Sequence, residues 1–278
     1  RLPGSLIFFG EDGIGKEGHA IEYFATLNCK NNSGDTACGE CISCSKIKKL
    51  QHENLNIIIP LPKSNSINKN DSPLKTLNSK QLNMLEKMSS EKGINPYGEL
   101  KFDTANTILI NSIRDIKNRI SLSDYNNRWN IYIIMNAEKL CIPRAESANA
   151  LLKILEEPND KNLFILLTSN IAQMLDTVTS RCTKIFFPKI EKESIKQYLK
   201  GENATLNKDL IVASSICNGN MTSCLELINE FETRFSTFDK AIKLFFEYDL
   251  NKWNIFSKKI KINELKYLLD LLLIFFSD

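Results

Sequence analysis

The chain has 278 residues, of which 42% are hydrophobic and 25% charged, and carries a formal net charge of +3. That length suits two domains or one large one, and the composition is ordinary for a globular protein in water. So small a net charge gives no compositional reason to expect nucleic-acid binding; any basic surface would have to be local.

Arg1-Leu2-Pro3 leads directly into the first predicted strand, with no secretory signal and no initiator Met. The expectation is a cytoplasmic chain taken from inside a longer protein. Leu6–Phe9 is the first strand, and Gly10-Glu11-Asp12-Gly13-Ile14-Gly15-Lys16-Glu17 follows it. The pattern G-x-x-x-x-G-K cradles phosphate between glycine N–H groups and a Lys at a helix N-terminus. Gly10, Gly13, Gly15 and Lys16 are therefore the candidate nucleotide-binding residues. Glu17 stands where a Ser or Thr hydroxyl would hold Mg²⁺, and its carboxylate has the same sign as phosphate. The loop predicts the architecture of a nucleotide site and leaves ATP binding itself open.

A helix is predicted over Lys16–Leu27. Cys29, Cys38, Cys41 and Cys44 then come with the spacing C-x8-C-x2-C-x2-C, with Gly39 inside the knuckle. Four thiolates able to converge on one ion suit structural Zn²⁺, and a complete set leaves no open position for metal catalysis. Disulfides do not fit a chain without a secretory signal. An iron–sulfur run of the C-x2-C-x2-C-x3-C kind would need a Cys four positions beyond Cys44, where Lys48 stands instead. The other cysteines (Cys141, Cys182, Cys217, Cys224) are scattered and read as small core residues. His19 and His52 have no base or metal companion and read as structural.

Further strands are predicted at Asn56–Ile59, Asn130–Met135, Leu163–Thr168 and Thr183–Phe187, with helices near Ile108–Ile120 and Ala145–Leu155. This alternation predicts an α/β fold, a parallel sheet covered on both faces. Residues 60–99 break the pattern: Asn, Lys and Ser dominate, so the stretch reads as an inserted, solvated excursion with a short helix at Ser79–Met88. Beyond Pro188 all predicted elements are helical: Glu191–Lys200, Asn207–Cys217, Met221–Phe231, Thr237–Phe246 and Ile262–Phe276. The apolar tail Leu268–Phe276 is interrupted by Asp270 and is too short to span a bilayer, so no membrane is expected.

The P-loop, the four-Cys module, the run Ser147-Ala148-Asn149-Ala150-Leu151-Leu152-Lys153-Ile154-Leu155-Glu156-Glu157-Pro158 and then Ser180-Arg181-Cys182 occur in one order. This resembles the bacterial DNA polymerase III clamp-loader subunits, the gamma/tau and delta-prime group of AAA+ proteins, from Leu6 to about Asn229. The resemblance implies a RecA-like AAA+ domain over 1–188 with the zinc module at 29–44 and the insertion at about 60–99. It also implies a small helical lid over 189–235 and, over 236–278, the truncated start of a helical collar. A five-subunit hetero-oligomeric ring is implied, with gamma/tau and delta subunits, the sliding clamp and primer–template DNA as partners.

In active members of that group, the strand matching Ile131–Ile134 ends in an Asp-Glu pair that organises Mg²⁺ and activates water. Here Met135-Asn136 stand there, and Thr222 occupies the second-sensor position where active members carry Arg. With Glu17, three catalytic positions are altered. The pattern resembles the non-hydrolysing delta-prime branch, with no intrinsic ATPase expected. Thr168 matches the first sensor, and Arg181 of S-R-C is implied to reach a neighbouring subunit's ATP as an arginine finger. Two competing readings are an ATP-hydrolysing gamma/tau-type motor, which needs Glu17 or a displaced acid to replace the lost ligands, and a zinc-bearing nucleic-acid module with a vestigial P-loop.

Overall fold

Five apolar segments of four to seven residues pair side by side in one parallel sheet in the computed structural model. The structure describes residues 2–32, 36–122, 128–156, 160–202, 217–229, 238, 240–244, 247, 250–258 and 269. The strands are β1 (Ser5–Phe9), β2 (Leu55–Ile58), β3 (Asn130–Ile134), β4 (Asn162–Thr168) and β5 (Thr183–Phe186), in the order β2-β3-β4-β1-β5. Each agrees with its predicted strand to within a residue at either end. Phe9 pairs with Thr168 on one side and Phe186 on the other. The loop after β1 therefore opens at the carboxyl ends of the central strands, where ligands bind in open α/β sheets.

Side chains alternate across the pleat, so adjacent strand residues feed opposite cores. Leu6, Phe8, Ile131, Ile133, Leu163 and Ile165 join Phe24 of α1 (Lys16–Asn28) and Ile47 of α2 (Ile42–Lys48) on one face. Ile7, Tyr132, Ile134 and Phe164 face α4 (Ile110–Leu122), α5 (Glu146–Glu156) and α6 (Asp176–Thr179) on the other, with Tyr132 and Phe164 stacked at 5.0 Å. Ile7, Phe24 and Ile133 are wholly buried, each stabilising the fold by roughly 1.5–3 kcal/mol.

The 60–99 stretch is not a solvated excursion. Leu61, Leu77 and Met88 are buried in the first core. Its helix, α3, runs from Ser79 to Ile94, past the expected end at Met88. A capping box starts it: Asn78 Oδ1 accepts the Gln81 N–H and Gln81 Oε1 accepts the Asn78 N–H, both at 2.9 Å. The last turn packs closely on the cysteine module, because a Cβ on Gly93 would lie 2.5 Å from the Lys48 carbonyl oxygen. The few apolar residues of this stretch are spaced for burial against neighbours rather than for a strong apolar stripe, which is why its composition reads as loop.

The chain divides into two compact units, Arg1–Pro188 and Lys189–Asp278. In the second, α7 (Lys192–Glu202), Met221–Asn229 and Leu250–Ser257 are helical. Asn220 Oδ1 caps the middle one by accepting the Ser223 N–H at 2.9 Å. The helices predicted over Asn207–Cys217 and Ile262–Phe276 lie outside the described residues except for Cys217 and Leu269, as do four of the ten residues of Thr237–Phe246. No helix among the described residues is long and apolar enough to cross a membrane.

Candidate nucleotide and metal sites

Gly10, Gly13 and Gly15 all have positive φ (150°, 70° and 91°), which glycine adopts without steric cost. Gly10 is further constrained by space: a Cβ there would sit 2.3 Å from the Phe187 carbonyl oxygen. Gly15 is the N-cap of α1 and makes no side-chain cap, the arrangement of a helix N-terminus that suits an anion. Lys16 is 7% exposed and its ammonium donates to the carbonyls of Gly10 (2.7 Å) and Glu11. Burial lowers its pKa, against the opposing pull of Asp12, Glu17, Glu138 and Glu11. The four loop residues singled out from sequence are thus brought together in one nest.

The other positions that the resemblance marks carry different chemistry. Met135 is 1% exposed and packs in the apolar core, so it offers nothing to a metal. Asn136 takes a left-handed conformation (φ 51°) and starts the short 3-10 turn Ala137–Cys141. Glu17 forms an ion pair with Lys92, a residue of α3 that sequence reasoning gave no role. Thr168, 1% exposed, donates to Glu138 Oε2 at 2.5 Å and accepts the Asn170 N–H at 3.1 Å. Gly10 N–H meets the Thr168 carbonyl at 3.3 Å, so Thr168 does border the loop. Thr222 lies in the first turn of Met221–Asn229 in the second unit.

Glu138 is the acid the sequence reading missed. It is 7% exposed, two residues beyond Asn136, and its charge acts on Lys16. Its signal was a lone Glu just past a strand end, indistinguishable in one sequence from a turn residue.

Arg181 follows α6 on an exposed surface. Its Nε and Nη2 donate to Glu156 Oε1 at 3.0 and 2.5 Å, and Nη1 donates to the Thr177 carbonyl at 2.7 Å. Glu156, from the run before Pro158, therefore orients the guanidinium.

The four cysteines converge: their Sγ atoms all lie within 4.8 Å of one another, and Cys38 and Cys44 are 4.0 Å apart. A tetrahedron with Zn–S of ~2.3 Å has S···S of about 3.8 Å, close to this spread, whereas a disulfide needs ~2.05 Å. All four thiols are free. Backbone N–H groups of Cys38, Cys41 and Cys44 donate to the sulfurs of Cys29, Cys38 and Cys41 at 3.3–3.5 Å. Such donation from Cys44, with Lys30, holds the Cys41 thiol down at about 6. Burial pushes the Cys44 thiol up to about 12, a cost that a divalent cation among the sulfurs would offset. Gly39, at φ 74°, makes the left-handed turn of the knuckle. The donor set fits a metal ion.

His52 ties this module to the sheet. It is 4% exposed, its Nδ1 accepts the Asn54 N–H at 3.1 Å, and its Nε2 lies 3.1 Å from Ser43 Oγ on α2. An acceptor Nδ1 leaves the proton on Nε2, which donates to Ser43, and burial lowers its pKa.

Sheet order, the positive-φ glycines and the buried Lys16 together define an α/β protein with a P-loop. The family profile described as "DNA polymerase III, delta subunit" matches residues 1–191, and the chain belongs to that family of clamp-loader subunits. It is 25% identical over 288 aligned positions to the DNA polymerase III subunit delta' of Bacillus subtilis, covering 100% of this chain and 72% of that protein. It is 26% identical to the gamma/tau subunit of Mycoplasma pneumoniae over 83% of this chain, which spans 28% of that longer protein. A gamma subunit-related protein from Thermotoga maritima aligns over 86% of this chain and 57% of its own, at 15% identity and a TM-score of 0.43.

Proposed function

We propose that this chain is a delta-prime-type clamp-loader subunit that does not hydrolyse ATP itself. It would sit in a five-subunit ring with gamma/tau and delta subunits and help place the sliding clamp on primer–template DNA. One observation carries the reading: the strand that should deliver the metal-organising Asp and the water-activating Glu ends in a core Met135 and a left-handed Asn136. Without a hard oxygen ligand and a proton acceptor, phosphoryl transfer loses its main electrostatic support. Structural Zn²⁺ in the four-Cys module is part of the same reading, holding α2 in place rather than taking part in chemistry.

Arg181 is the chain's contribution to a neighbour. A planar, permanently charged fork suits a γ-phosphate gaining charge in the transition state. The Glu156 contact holds that fork on an exposed surface, and two of the five N–H donors remain outside the three contacts named above. In a reconstituted ring, Arg181→Ala should lower turnover at the served site by roughly 10³-fold while leaving assembly intact. Unchanged turnover would exclude the finger.

Glu138 favours a second reading, an ATP-hydrolysing gamma/tau-type motor, because it is a buried acid acting on Lys16. Its hydrogen bond from Thr168 argues for a structural post instead. Steady-state ATPase assays on the purified chain separate the two: turnover abolished by Lys16→Ala and by Glu138→Gln would establish the motor.

A further inference from the structure

The insertion at 60–99 has no part in the reading above, yet its C-terminal end lies on the P-loop. Lys92 is 4% exposed. Its ammonium donates to Glu17 Oε2, to the Pro96 carbonyl at 2.7 Å and to the Gly98 carbonyl at 2.8 Å. Three N–H donors meet three oxygens, so the cation is fully satisfied inside the protein. Glu17 is the residue after the P-loop Lys, the position from which a Ser or Thr hydroxyl would hold Mg²⁺.

The same segment covers the loop sterically. A Cβ on Gly15 would touch Tyr97 Cε1 at 3.5 Å, and one on Gly18 would touch Pro96 Cβ at 3.6 Å. Both are ordinary van der Waals distances, so the segment lies directly against Gly15 and Gly18 at the start of α1. The 92–98 turn is itself braced: Asn95 Oδ1 accepts the Tyr97 N–H at 3.0 Å, and the Gly98 N–H donates to the Asn95 carbonyl at 2.9 Å. At its other side, α3 is seated on α2 through Gly93.

We propose that Lys92 is a tethered cation occupying magnesium's side of the P-loop, and that residues 92–98 shield the loop from metal-bound triphosphate. The residues present do not fit a magnesium–nucleotide complex. The carboxylate that could ligate the metal is already paired with Lys92, Met135 and Asn136 add no acid, and the nearby Glu138 carboxylate is engaged by Thr168. An ammonium needs no hydration shell here and cannot be chelated away, so the first turn of α1 keeps its form whatever the metal supply.

This rests on the degraded nucleotide site of the proposed function but is tested apart from it. Affinity of the full chain for a fluorescent ATP analogue is measured by anisotropy, in Mg²⁺ and in EDTA. For the unmodified chain the two affinities should differ by less than about threefold, or binding should be absent from both. Lys92→Met frees Glu17, and Mg²⁺ should then raise affinity by about tenfold or more. A Mg²⁺ response of that size in the unmodified chain overturns the proposal, as does a folded Lys92→Met chain without one. Glu17→Gln, which keeps shape and an acceptor oxygen, gives an independent arm through hydrogen–deuterium exchange. Exchange over residues 92–98 should accelerate, and unchanged exchange counts against the tether. Ring turnover with Arg181→Ala does not report on Lys92, so the two readings fail separately.

Discussion

The P-loop and the cysteine module sit next to each other in sequence and on the same face of the sheet, and they behave differently as motifs. The module is self-contained: four Sγ atoms from a sixteen-residue stretch converge within 4.8 Å, and its own N–H groups donate to its own sulfurs. The P-loop keeps its backbone shape, but what it can do is decided from elsewhere, by Lys92 on α3, Glu138 beyond β3 and Thr168 at the end of β4. Spacing is enough to specify a site whose ligands are local. It is not enough for a site whose chemistry is assembled from distant strands and helices.

The largest expected effect tests the self-contained half. Structural zinc sites carry apparent binding energies on the order of 10 kcal/mol, so Cys41→Ser or chelation should melt the 29–49 region. Metal analysis should fall from about one zinc per chain to none, and limited proteolysis should open the module. Iron, or no metal in the untreated chain, would end the zinc assignment.

Next comes the assembled half. Glu17→Ala leaves the buried Lys92 ammonium without its carboxylate. The cost should be about 2 kcal/mol, below the ~3–5 of a fully buried pair because the Glu17 side chain is 34% exposed. Lys92→Met removes the buried charge with its volume retained and should cost clearly less. Urea unfolding of the two variants gives the order; equal losses would mean that packing, not charge, holds α3 on α1.

A smaller effect reports on the cysteine module's attachment to the sheet through His52. Its folded pKa is lowered by burial, so below its unfolded value of ~6.5 the unfolded chain binds more protons and stability falls with pH. The loss is at most ~1.4 kcal/mol per pH unit and stops once pH passes the folded pKa. Urea titrations at falling pH should show this extra sensitivity in the parent chain and not in His52→Asn. Smallest of all, Glu156→Gln should change the stability of the isolated chain by less than about 0.5 kcal/mol, because the pair with Arg181 is solvent-exposed. Any fall in ring turnover would then report loss of guanidinium orientation alone.

Much of the fold was legible. The β strands were found within a residue because buried parallel strands read as short apolar runs between polar breaks. The glycine nest and the cysteine spacing were legible for a related reason, since both encode local backbone geometry. The insertion was misread because α3 carries polar residues on most of its surface, and the Asn78–Gln81 cap was a weak signal beside that composition. Lys92 and Glu17 are 75 positions apart, and nothing in either neighbourhood announces the other.

By itself, the amino-acid order determined a parallel P-loop sheet, a four-thiol module and Met135-Asn136 after β3, because each is written in contiguous residues with a definite period or spacing. Only the tertiary structure decided that Glu17 faces an ammonium, that Glu138 rests on Thr168, and that Glu156 holds Arg181. Those pairings join residues far apart along the chain, and electrostatic partnership depends on distance in space and on exclusion of water.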